Sequence, residues 1–231
     1  VPIRADFSFD VEAVAKCGAA IFFLTNPNAP LGVSFSPAKV SELARAFPGL
    51  LVVDEAYAAF ADADCAELPK THANVVVTRT FSKGHALAGL RAGYALCPPG
   101  LATILHRVRD SYNLDRLAQV GAAAALADTA WLHETVGKVR SERARLTSGL
   151  VALGWSVVPS SGNFILATPA SAQRSGSPAT GEHAFAFFRE RKILVRRFPN
   201  HPLTASALRI TVGTAAEMDA FLAAAQAWSE G

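Results

Sequence analysis

The stretch AIFFLTNPNAPLGVSFSPAKVSELARAFPGLLVV, residues 20–53, sets the architecture. Its two ends, AIFFLT (20–25) and LLVV (50–53), are continuous apolar runs rich in Val, Ile and Phe, the pattern of strands buried on both faces. Between them SPAKVSELARAF (36–47) has helical character. Ser36 stands as the N-cap and Pro37 occupies the first helical position, where a missing N–H costs nothing. Strand, helix and strand in that order imply an α/β layer around a mostly parallel sheet. Working outward, NVVVT (74–78) and AGYALC (92–97) read as two further buried strands.

From Leu101 the texture changes. Residues 101–110, 115–128 and 131–153 read as helices, and the last places Glu134, Lys138, Arg140, Glu142, Arg143 and Arg145 on a solvated face before Gly154 caps it. The tail reads strand (155–159), strand (163–168), helix (182–191), strand (192–197), strand (207–212) and helix (215–229). That is a small α+β lobe. The Ala/Ser/Gly/Pro-rich segment 169–181 is expected to be a flexible surface loop. The boundary between a larger α/β domain (1–125) and the small C-terminal α+β domain (126–231) is therefore expected near residue 125. The pattern contains no internal repeat.

Hydrophobic residues make up 51% of the 231 and charged residues 18%, which is ample material for a core and excludes a disordered chain. A net charge of +3, evenly spread, gives no footprint for nucleic acid but is compatible with a site for phosphorylated or carboxylated small molecules. Cys17, Cys65 and Cys97 lie far apart, with neither a CxxC pair nor a His at metal spacing, so the thiols point to a reducing, cytoplasmic setting and to no metal. No apolar run reaches membrane-spanning length, and Val1 to Asp10 lacks the pattern of a signal peptide. The chain opens without Met on the extended-looking VPIRADFSFD, so a segment is expected to precede it.

Three clusters stand at the ends of expected strands, where α/β sheets place ligands. The first is Asn26-Pro27-Asn28-Ala29-Pro30-Leu31-Gly32, which by itself reads as a turn. The second is Asp54-Glu55-Ala56-Tyr57. A carboxylate at the end of a buried strand is costly unless paired, so Asp54 should have a cationic or strongly donating partner, and the phenol of Tyr57 could point to the same place. The third is Thr80-Phe81-Ser82-Lys83-Gly84-His85-Ala86-Leu87-Ala88-Gly89-Leu90-Arg91-Ala92-Gly93-Tyr94. Lys83 alone would read as a surface lysine. Two hydroxyls, a second cation at Arg91 and three glycines change that, because hydroxyls and a guanidinium suit a phosphate and glycines admit close backbone approach. His85 reads as a loop histidine with no assigned role.

The third cluster resembles the S-K-x(7)-R-x-G lysine motif of fold-type I enzymes that use pyridoxal 5'-phosphate (PLP). Asp54 to Tyr57 resembles the strand end that contacts the cofactor ring, and residues 26–32 resemble the N-P-x-G turn of class I/II aminotransferases. Within that class, TFSKGHALAGLRAGY and LRITVG look most like the histidinol-phosphate aminotransferase group. The order of segments agrees from about residue 20 to residue 228. The resemblance implies the three-layer, mostly parallel sheet of a fold-type I large domain, a small C-terminal domain and a cytoplasmic homodimer. It implies PLP on Lys83 as a Schiff base, with the freed amine later moving the proton between Cα and the cofactor. Asp54 would pair with the pyridine nitrogen, Tyr57 would bond the phenolic oxygen, and Ser82, Arg91 and Thr80 would hold the phosphate. Arg209 would take the substrate carboxylate, or the polar end of histidinol phosphate, with Arg196 a second substrate arginine and Asn163 a further contact. The implied substrates are an amino acid or amino-alcohol phosphate and a 2-oxo acid.

The pattern departs from the family in two ways. Where the family's turn carries Asn before Pro-Thr-Gly, this chain has Ala29, and the Thr is Leu31; Asn26 or Asn28 would have to compensate. The resemblance also covers only about the last two thirds of such an enzyme, without the helix start that binds the phosphate or the aromatic that stacks on the ring. Other readings of the same residues stay open: an aromatic aminotransferase, a threonine-phosphate decarboxylase-like enzyme, an inactive fragment, or the non-catalytic PLP-binding sensor of a transcription regulator.

Overall fold

The structure, a computed structural model, describes residues 1–170 and 178–230, without the side chains of 178–180. Two compact units emerge: Val1–Asn28 with Ser34–Thr135, and Ala29–Val33 with Val136–Gly231. The division falls inside a helix, ten residues beyond the boundary expected at 125/126, and the turn segment 29–33 belongs with the second unit. Neither feature has a local sequence signal. The helix runs on unbroken, and the turn joins the second unit through a hydrogen bond from the Ser161 N–H to the Gly32 carbonyl (2.8 Å). Gly32 has φ +88°, and a Cβ there would collide with the side chain of Ser160, so only glycine fits.

In the first unit the order is α1 (Val11–Ala15), β1 (Ile21–Thr25), α2 (Pro37–Ala46), β2 (Leu50–Asp54), β3 (Val75–Thr80), β4 (Gly93–Leu96), α3 (Pro99–Val108), α4 (Arg116–Ala127) and the start of α5 (Thr129–Ala152). The strands form one sheet in the order β1-β2-β3-β4, parallel except for β4. Ser36 caps α2 as its position predicts, its Oγ accepting the Lys39 N–H at 3.2 Å. Helix α1 is a difference from the sequence reading: Asp10 caps five residues too short to show a period.

One face of this sheet packs on α2. Leu24, Leu51, Val53, Val75 and Val77 meet Val40, Leu43 and Phe47 in a single cluster. The other face is less well covered. Phe23 is 69% and Ile21 48% exposed, and β4 has no buried residue, although all four strands were expected to be buried. The reason is position: β1 and β4 are the two edges of the sheet among the described residues.

The second unit contains the rest of α5, β5 (Ser156–Val158), β6 (Phe164–Thr168), α6 (Pro178–Glu190), β7 (Arg196–Arg197), β8 (Leu208–Thr211) and α7 (Ala215–Glu230). The antiparallel sheet runs β5-β6-β8-β7. Its core brings Leu146 and Leu150 of α5 against Ile165, Leu208, and a stacked pair, Phe188 and Phe221, with ring centres 4.9 Å apart. Gly154 ends α5 with φ +79°, as expected of a cap. The expected strand 192–197 shrinks to two residues; Lys192 (φ +61°) and Ile193 still close the end of α6, their N–H groups donating to the Arg189 and Phe188 carbonyls. Of the expected loop 169–181, residues 171–177 lie outside the described residues, and Pro178 already begins α6.

Candidate active site

The carboxyl ends of the parallel strands are brought level by their register, which aligns Thr25 with Asp54 and Asp54 with Thr78. Side chains alternate across a sheet, so Asp54 and Thr78 share one face. Asp54 is half-buried, and its Oδ1 accepts the Ala56 N–H at 3.0 Å. Tyr57 heads the short 3₁₀ turn Ala58–Phe60, and the Lys83 Nζ lies 5.5 Å from the centre of its ring. Lysine, phenol and strand-end carboxylate therefore come from two adjacent strand ends of one unit.

The turn carrying Lys83 is built around Phe81, which is buried, accepts the Leu87 N–H and packs on His85 and Tyr94. The Thr80 Oγ1 accepts the Ser82 N–H at 3.1 Å and donates to the Ala92 carbonyl at 3.4 Å, so this hydroxyl serves the turn itself. Ser82 is half-buried, while Lys83 and Arg91 are exposed. Arg91 adopts a left-handed backbone (φ +53°), and its Nη1 donates to the Ala88 carbonyl at 2.8 Å. The amide of Asn26 is spent on the Phe35 backbone, donating to its carbonyl (3.0 Å) and accepting its N–H (2.8 Å). Asn28 donates to the Thr25 Oγ1 at 2.8 Å. Asn26 also reaches the Cys65 Sγ (3.7 Å) and is buried, whereas Asn28 is half-buried beside the end of β1.

Asp54 has a donating partner in the Ala56 N–H. The sequence reading passed over its neighbour Glu55, which is the buried carboxylate with a cationic partner. Glu55 is 2% exposed, and its Oε2 accepts from the Nε (2.9 Å) and Nη2 (2.7 Å) of Arg79, which also meets Asp64 at 3.0 Å. Burial pushes the Glu55 carboxyl up, against the pull of the Cys65 N–H and Arg79. Arg79 is opposed by its own burial, yet bonds to Glu55 hold it firmly charged. The sequence signal was strand parity: a Glu one residue past Asp54 and an Arg one residue before Thr80 each point away from the Asp54 face.

Cys65 lies against this pair, fully buried, and burial followed by the Glu55 charge pushes its thiol up to about 12. Cys17 is exposed. At pH 8 iodoacetamide should therefore alkylate Cys17 and spare Cys65 until the protein is denatured, as peptide mass mapping would show. Native modification of Cys65 at a rate comparable to Cys17 would contradict its burial. His85 lines a cavity of about 230 Å³ with Glu55, Arg79 and Tyr94, and burial pushes its pKa down.

The second unit holds the other expected residues. Arg196 of β7 and Arg209 of β8 are register partners, directly opposite each other on one face of the sheet. Both guanidinium groups lie near the Phe198 ring (6.0 and 5.4 Å), and Arg209 is also 5.0 Å from the centre of Phe164. Like charges directly opposite one another across two strands repel. Asn163 holds the end of β6 to the chain after β8, its carbonyl accepting the Val212 N–H at 2.9 Å.

Comparison with known proteins gives the geometry a setting. A family model described as aminotransferase class I and II matches residues 1–224. A histidinol-phosphate aminotransferase from Geotalea daltonii is 49% identical over 199 residues, 86% of this chain and 55% of that protein. One from Citrifermentans bemidjiense is 46% identical over 213 residues, 92% of this chain and 59% of that protein. The chain thus spans a little over half the length of these relatives. The crystal structure of histidinol-phosphate aminotransferase from Sinorhizobium meliloti in complex with pyridoxal-5'-phosphate superposes with a TM-score of 0.83 at 32% identity, covering 96% of this chain and 61% of that one. The L-threonine-O-3-phosphate decarboxylase from Porphyromonas gingivalis, at 23% identity and TM-score 0.74, shares the fold.

Proposed function

Because this chain belongs to the class I and II aminotransferases, we propose that it carries the lysine and the substrate arginines of a PLP-dependent transaminase that converts histidinol phosphate and 2-oxoglutarate to imidazole acetol phosphate and glutamate, a step of histidine biosynthesis. The donor set of the first unit fits the cofactor. An amine, a tyrosine whose ring centre lies 5.5 Å from it and a strand-end carboxylate match an aldehyde, a phenolic oxygen and a pyridine nitrogen. Ser82 and the exposed guanidinium of Arg91 match a phosphate, with Thr80 contributing through the turn it closes. When bound, PLP supplies an electron sink for the charge left at the substrate's Cα.

The chain's own groups do the rest. Lys83 would hold the cofactor, and its amine would move the substrate's Cα proton. Asp54 would face the pyridine nitrogen, and Tyr57 with Asn28 would hold the phenolic oxygen. Arg196 and Arg209 hold the anionic group of the substrate, aided by Asn163. The observation that carries the substrate class is this arginine pair, since two guanidinium groups in direct register suit a phosphate dianion better than a single carboxylate.

The working form in this reading is a cytoplasmic homodimer. Its support is the exposed apolar surface of α3 and α4 (Val108 74%, Leu117 80%, Val120 63%) and the free thiols of Cys17, Cys65 and Cys97. Among the described residues no helix is long and apolar enough to cross a membrane. The test uses the complete protein with PLP. Glutamate formation from histidinol phosphate and 2-oxoglutarate is the expected result. Carbon dioxide release from threonine phosphate instead would reassign the reaction, and PLP uptake without turnover of either substrate would favour a sensor.

A further inference from the structure

Strand β2, which ends on Asp54, and strand β3, which leads into the Lys83 turn, are joined by an ion pair on the face of the sheet opposite Asp54. Glu55 follows Asp54 directly, and Arg79 is the penultimate residue of β3. The two strands are parallel and hydrogen-bonded, with the Glu55 N–H donating to the Thr78 carbonyl at 2.8 Å. The pair adds a lateral clamp at that point: Oε2 of Glu55 takes two nitrogens of Arg79, and its Oε1 takes the Cys65 N–H. Arg79 also hydrogen-bonds its register partner Tyr94, whose ring lies 5.5 Å from that of Phe81. Phe81 is the buried anchor immediately before Ser82 and Lys83. A continuous line of contacts therefore leads from Glu55 to the lysine turn.

As a device for holding a sheet together, this arrangement is an expensive choice. Burying the Glu55 carboxylate and half-burying the Arg79 guanidinium costs several kcal/mol before attraction repays it, and apolar residues of similar volume often do as well or better (about 1–4 kcal/mol in measured replacements of buried pairs). What an ion pair adds is geometry, since a guanidinium fork accepts a carboxylate from few directions. Geometry is what the facing groups lack. Asp54's carboxylate accepts from the N–H of Ala56, two residues away, and Lys83 is exposed with its amine over the Tyr57 ring. Each goes where its strand end goes.

We propose that Glu55 and Arg79 are positioning residues, which fix the offset between the ends of β2 and β3 and so set Asp54 and Lys83 in working relation to the cofactor. Neither touches substrate or cofactor, and the inference rests on the transaminase reading above. A displacement of about 1 Å between catalytic groups can cost on the order of a hundredfold in rate.

The experiment compares the complete, PLP-loaded protein with Glu55→Gln, Arg79→Lys and the double variant Glu55→Leu/Arg79→Met. Three quantities are read: thermal stability, the pH midpoint of the visible absorbance of the lysine-bound cofactor, and kcat apart from KM. The double variant should stay folded and bind PLP, with the pH midpoint displaced and kcat down about ten- to a hundredfold at little change in KM. Arg79→Lys, which keeps the charge but loses the fork, should lose nearly as much. Glu55→Gln, which keeps the shape, should fall between parent and double variant. A folded double variant with the parent's midpoint and kcat would overturn the proposal and leave the pair a merely structural one. A parent that takes up no PLP would instead overturn the reading of function, and this inference with it.

Discussion

Lys83→Ala should remove transamination almost entirely, lowering kcat by about 10⁴-fold or more, because it takes away both the covalent attachment point and the proton carrier, the latter alone being worth roughly 10²–10⁴. The visible absorbance of the lysine-bound cofactor should vanish with it. Stability should barely change, within about 0.5 kcal/mol, because Lys83 is exposed and the turn is anchored by the buried Phe81 on one side of it. Lys83→Arg is the sharper variant: it keeps a cation near Tyr57 but supplies a group that stays protonated in proteins and cannot act as the base. It should be as inactive as the alanine variant. Partial rescue of Lys83→Ala by an added small amine would assign the lost function to the amine itself. Retention of more than a tenth of the parent rate in either variant would sink the role.

Arg196→Ala/Arg209→Ala should strike the substrate and spare the cofactor. A hydrogen bond to a charged group contributes about 1.5–3 kcal/mol, so losing both guanidinium groups should lower kcat/KM for histidinol phosphate by about 10²–10⁴-fold. PLP uptake should be unaltered. Histidinol without its phosphate gives the discriminating arm. If the pair reads the phosphate, that substrate is poor with the parent and little worse with the double variant. Equal loss for both substrates would move the arginines to another part of the substrate, and loss of PLP uptake would take them out of the substrate role altogether.

Much of this could be read from the chain before the fold was known. Strands β1 to β3, helix α2 and the caps at Ser36 and Gly154 follow from local chemistry, since apolar runs, an N-cap hydroxyl and a left-handed glycine act within a few residues. The Lys83 turn was legible for a different reason: its meaning lies in an ordered set of residues rather than in a period. What escaped was non-local. Glu55 and Arg79 are 24 positions apart and pair only because β2 and β3 lie side by side. Which of the adjacent acids Asp54 and Glu55 faces inward is set by strand parity, a signal in the sequence that can be used only once the buried face of β2 is known. Residues 29–33 read as a turn, and nothing in a turn's composition says which unit it will pack against. Strand β7 was overestimated because an apolar run such as Ile193-Leu194-Val195 looks the same whether it pairs in a sheet or follows a helix end.

Among the described residues β1 and β4 each lack a partner strand on one side, which has a practical meaning at the bench. A strand with one side unpaired offers a row of N–H and C=O groups to any extended backbone that meets it, and Phe23 makes the β1 edge sticky as well. Natural proteins blunt such edges with lysine, proline or a bulge; the Ile21–Thr25 strand carries no charge at all. Produced by itself in a concentrated solution, this length of chain is thus a candidate for edge-to-edge aggregation and inclusion bodies, and its solubility will depend on what lies along Ile21–Thr25 and Gly93–Leu96.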